Sequence, residues 1–173
     1  TLGPWHISGE IPSGLCLHAL AGSPRRFYLL GGKTRLGPVR WVFEFALSAR
    51  GRVEQLRRGP DLPAPLCPAR CMNHKGQLFA WQGDCGAGTL WGAGESMRGD
   101  LSAWRNRGTL PGQEAPEAIH PLGGDLLLIQ RSSLYRAPLS AGAPDPWERI
   151  EGRLPRHRCV LADGGNLYLA GDC

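Results

Sequence analysis

The chain repeats itself, and that repetition limits the folds open to it more than any other feature. Four segments spaced 44 to 51 residues apart place a large apolar residue seven or eight positions before a Pro. They are Trp5 to Pro12 (WHISGEIP), Leu56 to Pro63 (LRRGPDLP), Trp104 to Pro111 (WRNRGTLP) and Trp147 to Pro155 (WERIEGRLP). Each carries a Gly in between, and each has Leu or Ile directly before the Pro. A second apolar run follows each Pro: Phe27 to Gly32, Leu78 to Gly83, Leu126 to Arg131 and Leu167 to Asp172. Tyr28, Phe79 and Leu127 all fall sixteen residues after their Pro, and Tyr168 falls thirteen after its own. A period of this length is that of one four-stranded sheet in a radial array.

Each unit reads as four strands, labelled a to d. Strand a follows the Pro, strand b ends near the Gly pair, strand c covers Trp41 to Leu47, Thr89 to Gly92 and Leu134 to Leu139, and strand d runs from the Trp toward the Pro. The expected class is all-β, a β-propeller with about three complete four-stranded blades at 14–63, 64–111 and 112–155, and partial blades at 1–12 and 156–173. A blade buries both faces only between neighbours. The chain stops in mid-blade at Cys173, so a fragment of a larger ring, or a piece completed by another polypeptide, is expected.

Twenty-five Gly and fifteen Pro lie in short clusters between apolar stretches, as many tight turns require. No apolar run approaches the roughly 18 to 20 residues that cross a bilayer, and Thr1 to Glu10 lacks the order of a signal peptide, so no membrane partner is expected. The net charge of +5 comes mostly from Arg, which favours bidentate contacts with carboxylates. Its basic residues are scattered in pairs, with no stripe interleaved with aromatics, so nucleic acid is not an expected partner.

The arrangement resembles the kelch repeat. The residues that carry the resemblance are Gly31-Gly32 with Tyr28, the Trps at 5, 104 and 147, and the pairs Leu62-Pro63, Leu110-Pro111 and Leu154-Pro155. The double Gly gives way to Gln82-Gly83, Gln130-Arg131 and Ala170-Gly171, and one Trp becomes Leu56. The resemblance implies a protein-binding module, of the kind that serves as the substrate-recognition propeller of BTB-kelch adaptors in cullin-3 ubiquitin ligases. It implies a cytoplasmic protein, and any link to cullin-3 machinery would run through regions outside this chain. The other readings are a propeller enzyme, a carbohydrate-binding propeller and a structural scaffold fragment.

Cys16, Cys67 and Cys159 each stand four residues after a Pro, with Ala115 in the remaining copy. This slot reads as a buried free thiol on an inner strand, in a reducing compartment. Cys67, Cys71, His74 and Cys85 supply zinc-type donors, but alternation turns His74 from the face of Cys67 and Cys71, and no metal or other cofactor is expected. Gly31-Gly32-Lys33-Thr34 lacks the leading Gly of a phosphate loop, since Phe27 stands there. Trp91 replaces the third Gly of a dinucleotide fingerprint in Gly86 to Gly94. No nucleophile elbow appears, no catalytic residue is assigned, and His18 reads as a satisfied inward His on strand a.

Recognition should then fall on loops. The b–c loops (32–40, 83–89, 131–133) and d–a turns (10–15, 60–66, 111–117, 153–158) would share one rim. Lys33, Arg35, Arg40, Arg131, Arg156, His157 and Arg158 are the candidate partner-binding residues, and a protein or acidic peptide is the expected ligand.

Overall fold

A computed structural model describes residues 14–23, 26–50, 52–96, 98, 100–139, 146–152, 154, 159–163 and 166–171. All regular structure among them is β. The strands are β1 (Ala19–Ser23), β2 (Arg26–Leu30), β3 (Lys33–Thr34), β4 (Gly37–Pro38), β5 (Val42–Leu47), β6 (Val53–Arg58), β7 (Ala69–His74) and β8 (Gln77–Gln82). They continue with β9 (Thr89–Gly94), β10 (Arg105–Thr109), β11 (Ala118–Leu122), β12 (Asp125–Ile129), β13 (Leu134–Pro138), β14 (Glu148–Ile150), β15 (Cys159–Asp163) and β16 (Asn166–Ala170). No helix among the described residues is long and apolar enough to cross a membrane.

Three antiparallel four-stranded sheets result, ordered β1-β2-β5-β6, β7-β8-β9-β10 and β11-β12-β13-β14, and β15 pairs with β16 in a fourth, two-stranded sheet. These are strands a, b, c and d of the successive units. The first strands are neighbours in space: β1 lies beside β7, β7 beside β11, and β11 beside β15.

The near-continuous apolar runs of the b strands follow from this stacking, because both faces of a sandwiched sheet are covered. In β8, Leu78 and Ala80 join Tyr28, Leu30 and Val42 in the core between the first and second sheets. Phe79 and Trp81, on the opposite face, pack with Leu90, Ile119, Leu126 and Leu128 between the second and third. Each buried Leu or Phe is worth about 1.5–3 kcal/mol against exposure, so the two cores supply much of the drive to stack.

The repeated Trp and Leu-Pro have separate duties. Trp104 is buried against the preceding sheet, and its indole N–H donates to the Pro60 carbonyl at 3.0 Å. Trp147 likewise packs into the core shared with the sheet before it. Leu62 and Leu110, ahead of their Pro, fill the core shared with the sheet after them. Their backbone N–H groups donate to Arg40 and Gly88 carbonyls, both at 2.8 Å, so each d–a connection is tied to the adjoining b–c loop.

The Gly pair answers a close approach of backbone. Gly31 and Gly32 take φ of +60° and +86°, and a Cβ on them would meet the carbonyl oxygens of Leu66 at 2.7 Å and Cys16 at 2.5 Å. Where Gln replaces the first Gly, its amide does the bridging. Gln130 donates to the carbonyls of Pro111 (2.9 Å) and Glu114 (2.7 Å), and Gln82 to that of Cys67 (3.3 Å).

Several expectations need correction. Strand a begins at Ala19 and Ala69, so Cys16 and Cys67 precede it. Cys16 is exposed, bridged through its backbone to Lys33, and Cys67 is half-buried, so neither is a buried inner-strand thiol, whereas Cys159 opens β15. The thiol that packs against the core is Cys71, at a position that does not recur. His18 also precedes strand a, and its buried Nδ1 has no hydrogen-bond partner among the described residues. Strand c starts at Val42, runs on to Gly94, and ends at Pro138. Leu56 keeps the Trp position in register but is exposed.

Candidate functional site

Alternating strand direction puts the b–c loops and d–a connections at one end of every sheet. Hydrogen bonds join the two kinds of loop at that end: Leu62 to Arg40 and Leu110 to Gly88 within a unit, and Gly32 of the first sheet to Leu66 of the connection into the second. The result is a continuous loop rim on a rigid base.

The first b–c loop stands apart from the others. It folds back as a small hairpin, β3 with β4, pairing Lys33 with Pro38 and Thr34 with Gly37. The Thr34 hydroxyl accepts from the Leu36 N–H at 3.1 Å, which closes the tip. Lys33, Arg35 and Arg40 are exposed on this loop, and Leu36 at its tip is 100% exposed. No described carboxylate pairs with any of the three cations. Arg131 is exposed at the same end of the third sheet, two sheets away. Arg156, His157 and Arg158 lie outside the described residues.

Elsewhere on the rim, polar groups are already engaged. Arg58 is bound to Asp61 at 2.6 Å and lies over the rings of Trp41 and Phe43, 5.2 and 5.4 Å from their centroids. Glu114 accepts from the Ser132 hydroxyl and N–H, and Asp84 accepts from Gln82. The first b–c loop therefore carries unpaired positive charge, while Glu114 and Asp84, bonded to neutral donors, keep their negative charge elsewhere on the rim.

Two features escaped the sequence reading. Leu36 was hidden because an apolar residue between Arg35 and Gly37 carries no periodic signal. The second is a charged network between the first two sheets. Glu44, 4% exposed, accepts from Arg57 at 2.7 Å, and Arg57 also reaches Asp100 of the second sheet at 2.9 Å. Arg26 reaches Glu95 at 3.4 Å. The Arg57 guanidinium is stabilised in its charged form chiefly by the bond to Glu44. Only the fold brings these residues, up to 74 positions apart, into one layer.

Burial shifts the titration of several thiol and imidazole groups among the described residues. Burial pushes the Cys71 thiol up to about 12, and burial followed by the Asp84 charge raises Cys85, so neither is a ready thiolate. Burial lowers both His74 and His120, with Lys75 adding to the shift at His74. Among the described residues no group of three or more His, Cys, Asp or Glu comes together that could hold a metal ion. Comparison with protein-family models and with curated proteins gives no match to this chain.

Proposed function

We propose that the chain is a kelch-type β-propeller segment whose loop rim docks an acidic segment of another protein. The observation that carries the reading is the first b–c loop, where exposed Lys33 and Arg35 share a hairpin with the fully exposed Leu36, Arg40 follows on the same loop, and no described carboxylate neutralises them. A carboxylate-rich peptide with one apolar side chain complements that surface, through charge-assisted hydrogen bonds around a hydrophobic contact. Support for the propeller comes from the stacked four-stranded sheets with adjoining first strands. By the kelch resemblance, the reading extends to substrate recognition for a cytoplasmic ubiquitin-ligase adaptor, with no chemical step assigned to this chain. Arg131, with Arg156, His157 and Arg158 from the d–a connection, would widen the basic surface.

The test is selection of peptides from a displayed library on the chain, followed by affinity measurement with the Lys33→Ala/Arg35→Ala/Arg40→Ala variant. Selected sequences should be acidic with an apolar residue, and binding should weaken roughly tenfold, the sum of three exposed ion pairs. Affinity should also fall as salt rises. Neutral consensus sequences, or unchanged binding at low salt, defeat the reading.

A further inference from the structure

The seam between the first and second sheets holds a hydroxyl whose neighbours, in sequence and across the ladder, suit it to covalent modification. Ser23 closes β1 and pairs with Arg26, the first residue of β2, at the last rung of that ladder. It is also the one Ser or Thr of this chain followed directly by Pro, and Arg26 stands three residues after it, in Ser23-Pro24-Arg25-Arg26. Strand alternation puts Ser23 on the face of Ala19 and Ala21, which lie in the core shared by the two sheets. Residues paired directly on one face have Cβ atoms about 4.5–5.5 Å apart, so the Ser23 hydroxyl and the Arg26 side chain are neighbours at the border of the seam.

Arg26 is committed across that seam. Its guanidinium meets the Glu95 carboxylate at 3.4 Å and donates to the Arg98 carbonyl at 3.1 Å, which ties the c–d turn of the second sheet to the first sheet. The turn is closed on itself: the Ser96 N–H donates to the Asp100 carbonyl at 2.9 Å, and the Asp100 N–H donates to the Ser96 hydroxyl at 3.0 Å. Arg26 and Glu95 are 24% and 14% exposed, so separating them leaves a carboxylate that water reaches poorly. Their contact is longer than the roughly 2.7–2.9 Å of a strong charge-assisted hydrogen bond. A better anion beside Arg26 would displace Glu95.

We propose that Ser23 is a phosphorylation site for a proline-directed protein kinase, and that the phosphate frees the second sheet's c–d turn from Arg26. Such a kinase reads a residue without a backbone N–H directly after the hydroxyl and a cation two residues further on, the places of Pro24 and Arg26. Ser23 is half-buried, but it belongs to the terminal rung of its ladder, which opens at little cost. In the transfer, Ser23 Oγ attacks the γ-phosphorus of a nucleoside triphosphate and its proton passes to the kinase's catalytic carboxylate. The bond from that phosphorus to the bridging oxygen breaks, and the nucleoside diphosphate leaves. The phosphoserine carries about −1.5 to −2 charges at pH 7. Arg26 forks onto the phosphate, and Glu95 is left facing an anion. Ala19, Ala21 and Tyr28 stay in the apolar layer, so the sheets remain stacked while the border opens. The device lies within the seam and does not depend on what the loop rim binds.

The test incubates the 173-residue chain with a purified proline-directed kinase and magnesium ATP, and locates the product by mass spectrometry. Ser23 should take one phosphoryl group, and Pro24→Ala should slow its labelling roughly tenfold or more. In the phosphorylated chain, hydrogen exchange at the Ser96 and Asp100 amides should quicken roughly three- to tenfold, as loss of one partly buried ion pair with added repulsion allows. Most of that gain should vanish in about 1 M salt. It should also shrink in the Glu95→Gln chain, where no acid faces the phosphate. An unlabelled Ser23, labelling indifferent to Pro24→Ala, or unchanged exchange at Ser96 and Asp100 in the modified chain overturns the proposal. So does an equal acceleration in the Glu95→Gln chain, because the phosphate would then loosen the turn without acting through the Arg26 and Glu95 contact.

Discussion

The two intersheet seams are built from different materials. Between the second and third sheets the contact is apolar: Phe79, Trp81 and Leu90 face Ile119, Leu126 and Leu128, closed by Leu110. Between the first and second, a comparable apolar layer around Leu30, Val42, Leu62 and Leu78 is bordered by the Glu44, Arg57, Asp100, Arg26 and Glu95 network. Apolar contact is strong but nearly indifferent to register, whereas charges on facing strands accept one partner and reject its opposite. One seam therefore supplies adhesion and the other also supplies identity. A repeat protein needs both, because its units are otherwise interchangeable.

The comparison breaks most visibly at Leu128, wholly buried in the apolar seam. Leu128→Ala should cost about 2–5 kcal/mol, the usual range for a Leu deleted from a well-packed core. Urea unfolding would measure it, and a loss below about 1 kcal/mol would mean that the second and third sheets are not held by this layer. Glu44→Ala should come next, at about 1–3 kcal/mol. It removes the partner of Arg57, which is a third exposed and keeps Asp100, so the abandoned cation is softened by water and by its second contact. The Glu44→Ala/Arg57→Ala double variant should recover part of that loss, and the coupling should shrink in 1 M salt, whereas the Leu128 deficit should not.

Tyr28 sharpens the contrast through pH. Burial, followed by the charges of Glu95 and Glu44, raises its titration above the ordinary value of 10.0. The folded state thus disfavours the phenolate. Its contribution is fully present below pH 10 and is lost as pH rises from there toward the folded value, because the unfolded chain gives up the proton first. Stability should fall above pH 10 by up to about 1.4 kcal/mol per pH unit, and Tyr28→Phe should flatten that alkaline limb. Identical alkaline slopes for the two proteins would place Tyr28 outside the charged layer.

How much of this was legible in the sequence follows from what repeats. Trp104, Leu62 and Leu110 serve the same seam-filling duty in more than one unit, so their spacing announced sheets, order and strand count. Cys16 and Cys67 also recur, yet recurrence there misled, since in those two units the strand starts two or three residues later, while Cys159 opens its own strand. Glu44, Glu95 and Asp100 recur nowhere with the same sign, and Arg105, in register with Arg57, faces Gly92 where Arg57 faces Glu44, so a signal read from self-similarity cannot contain the network. The same holds for Leu36, which sits in an insertion that the described b–c loops of the second and third units lack. The recurring residues specify the scaffold, and those that set one unit apart make up both the seam code and the candidate rim.

The smallest expected effect isolates that code. Asp100 is well exposed and touches Arg57 from the neighbouring sheet, so Asp100→Asn should cost only about 0.2–1 kcal/mol. Asp100→Lys places a cation against Arg57 instead, and repulsion across the seam should exceed the loss from Asn while leaving the apolar layer intact. Adding Arg57→Glu to Asp100→Lys would restore an opposite pair there, but it sets the introduced carboxylate against Glu44 in the same sheet. Only the triple change with Glu44→Arg reproduces the sign order that Arg136 and Glu148 show on the third sheet. If denaturant midpoints follow that sequence, lower for Lys, still depressed for the double and recovered in the triple, the charges act as a code between sheets. Midpoints that track only the number of substitutions would reduce the network to surface decoration.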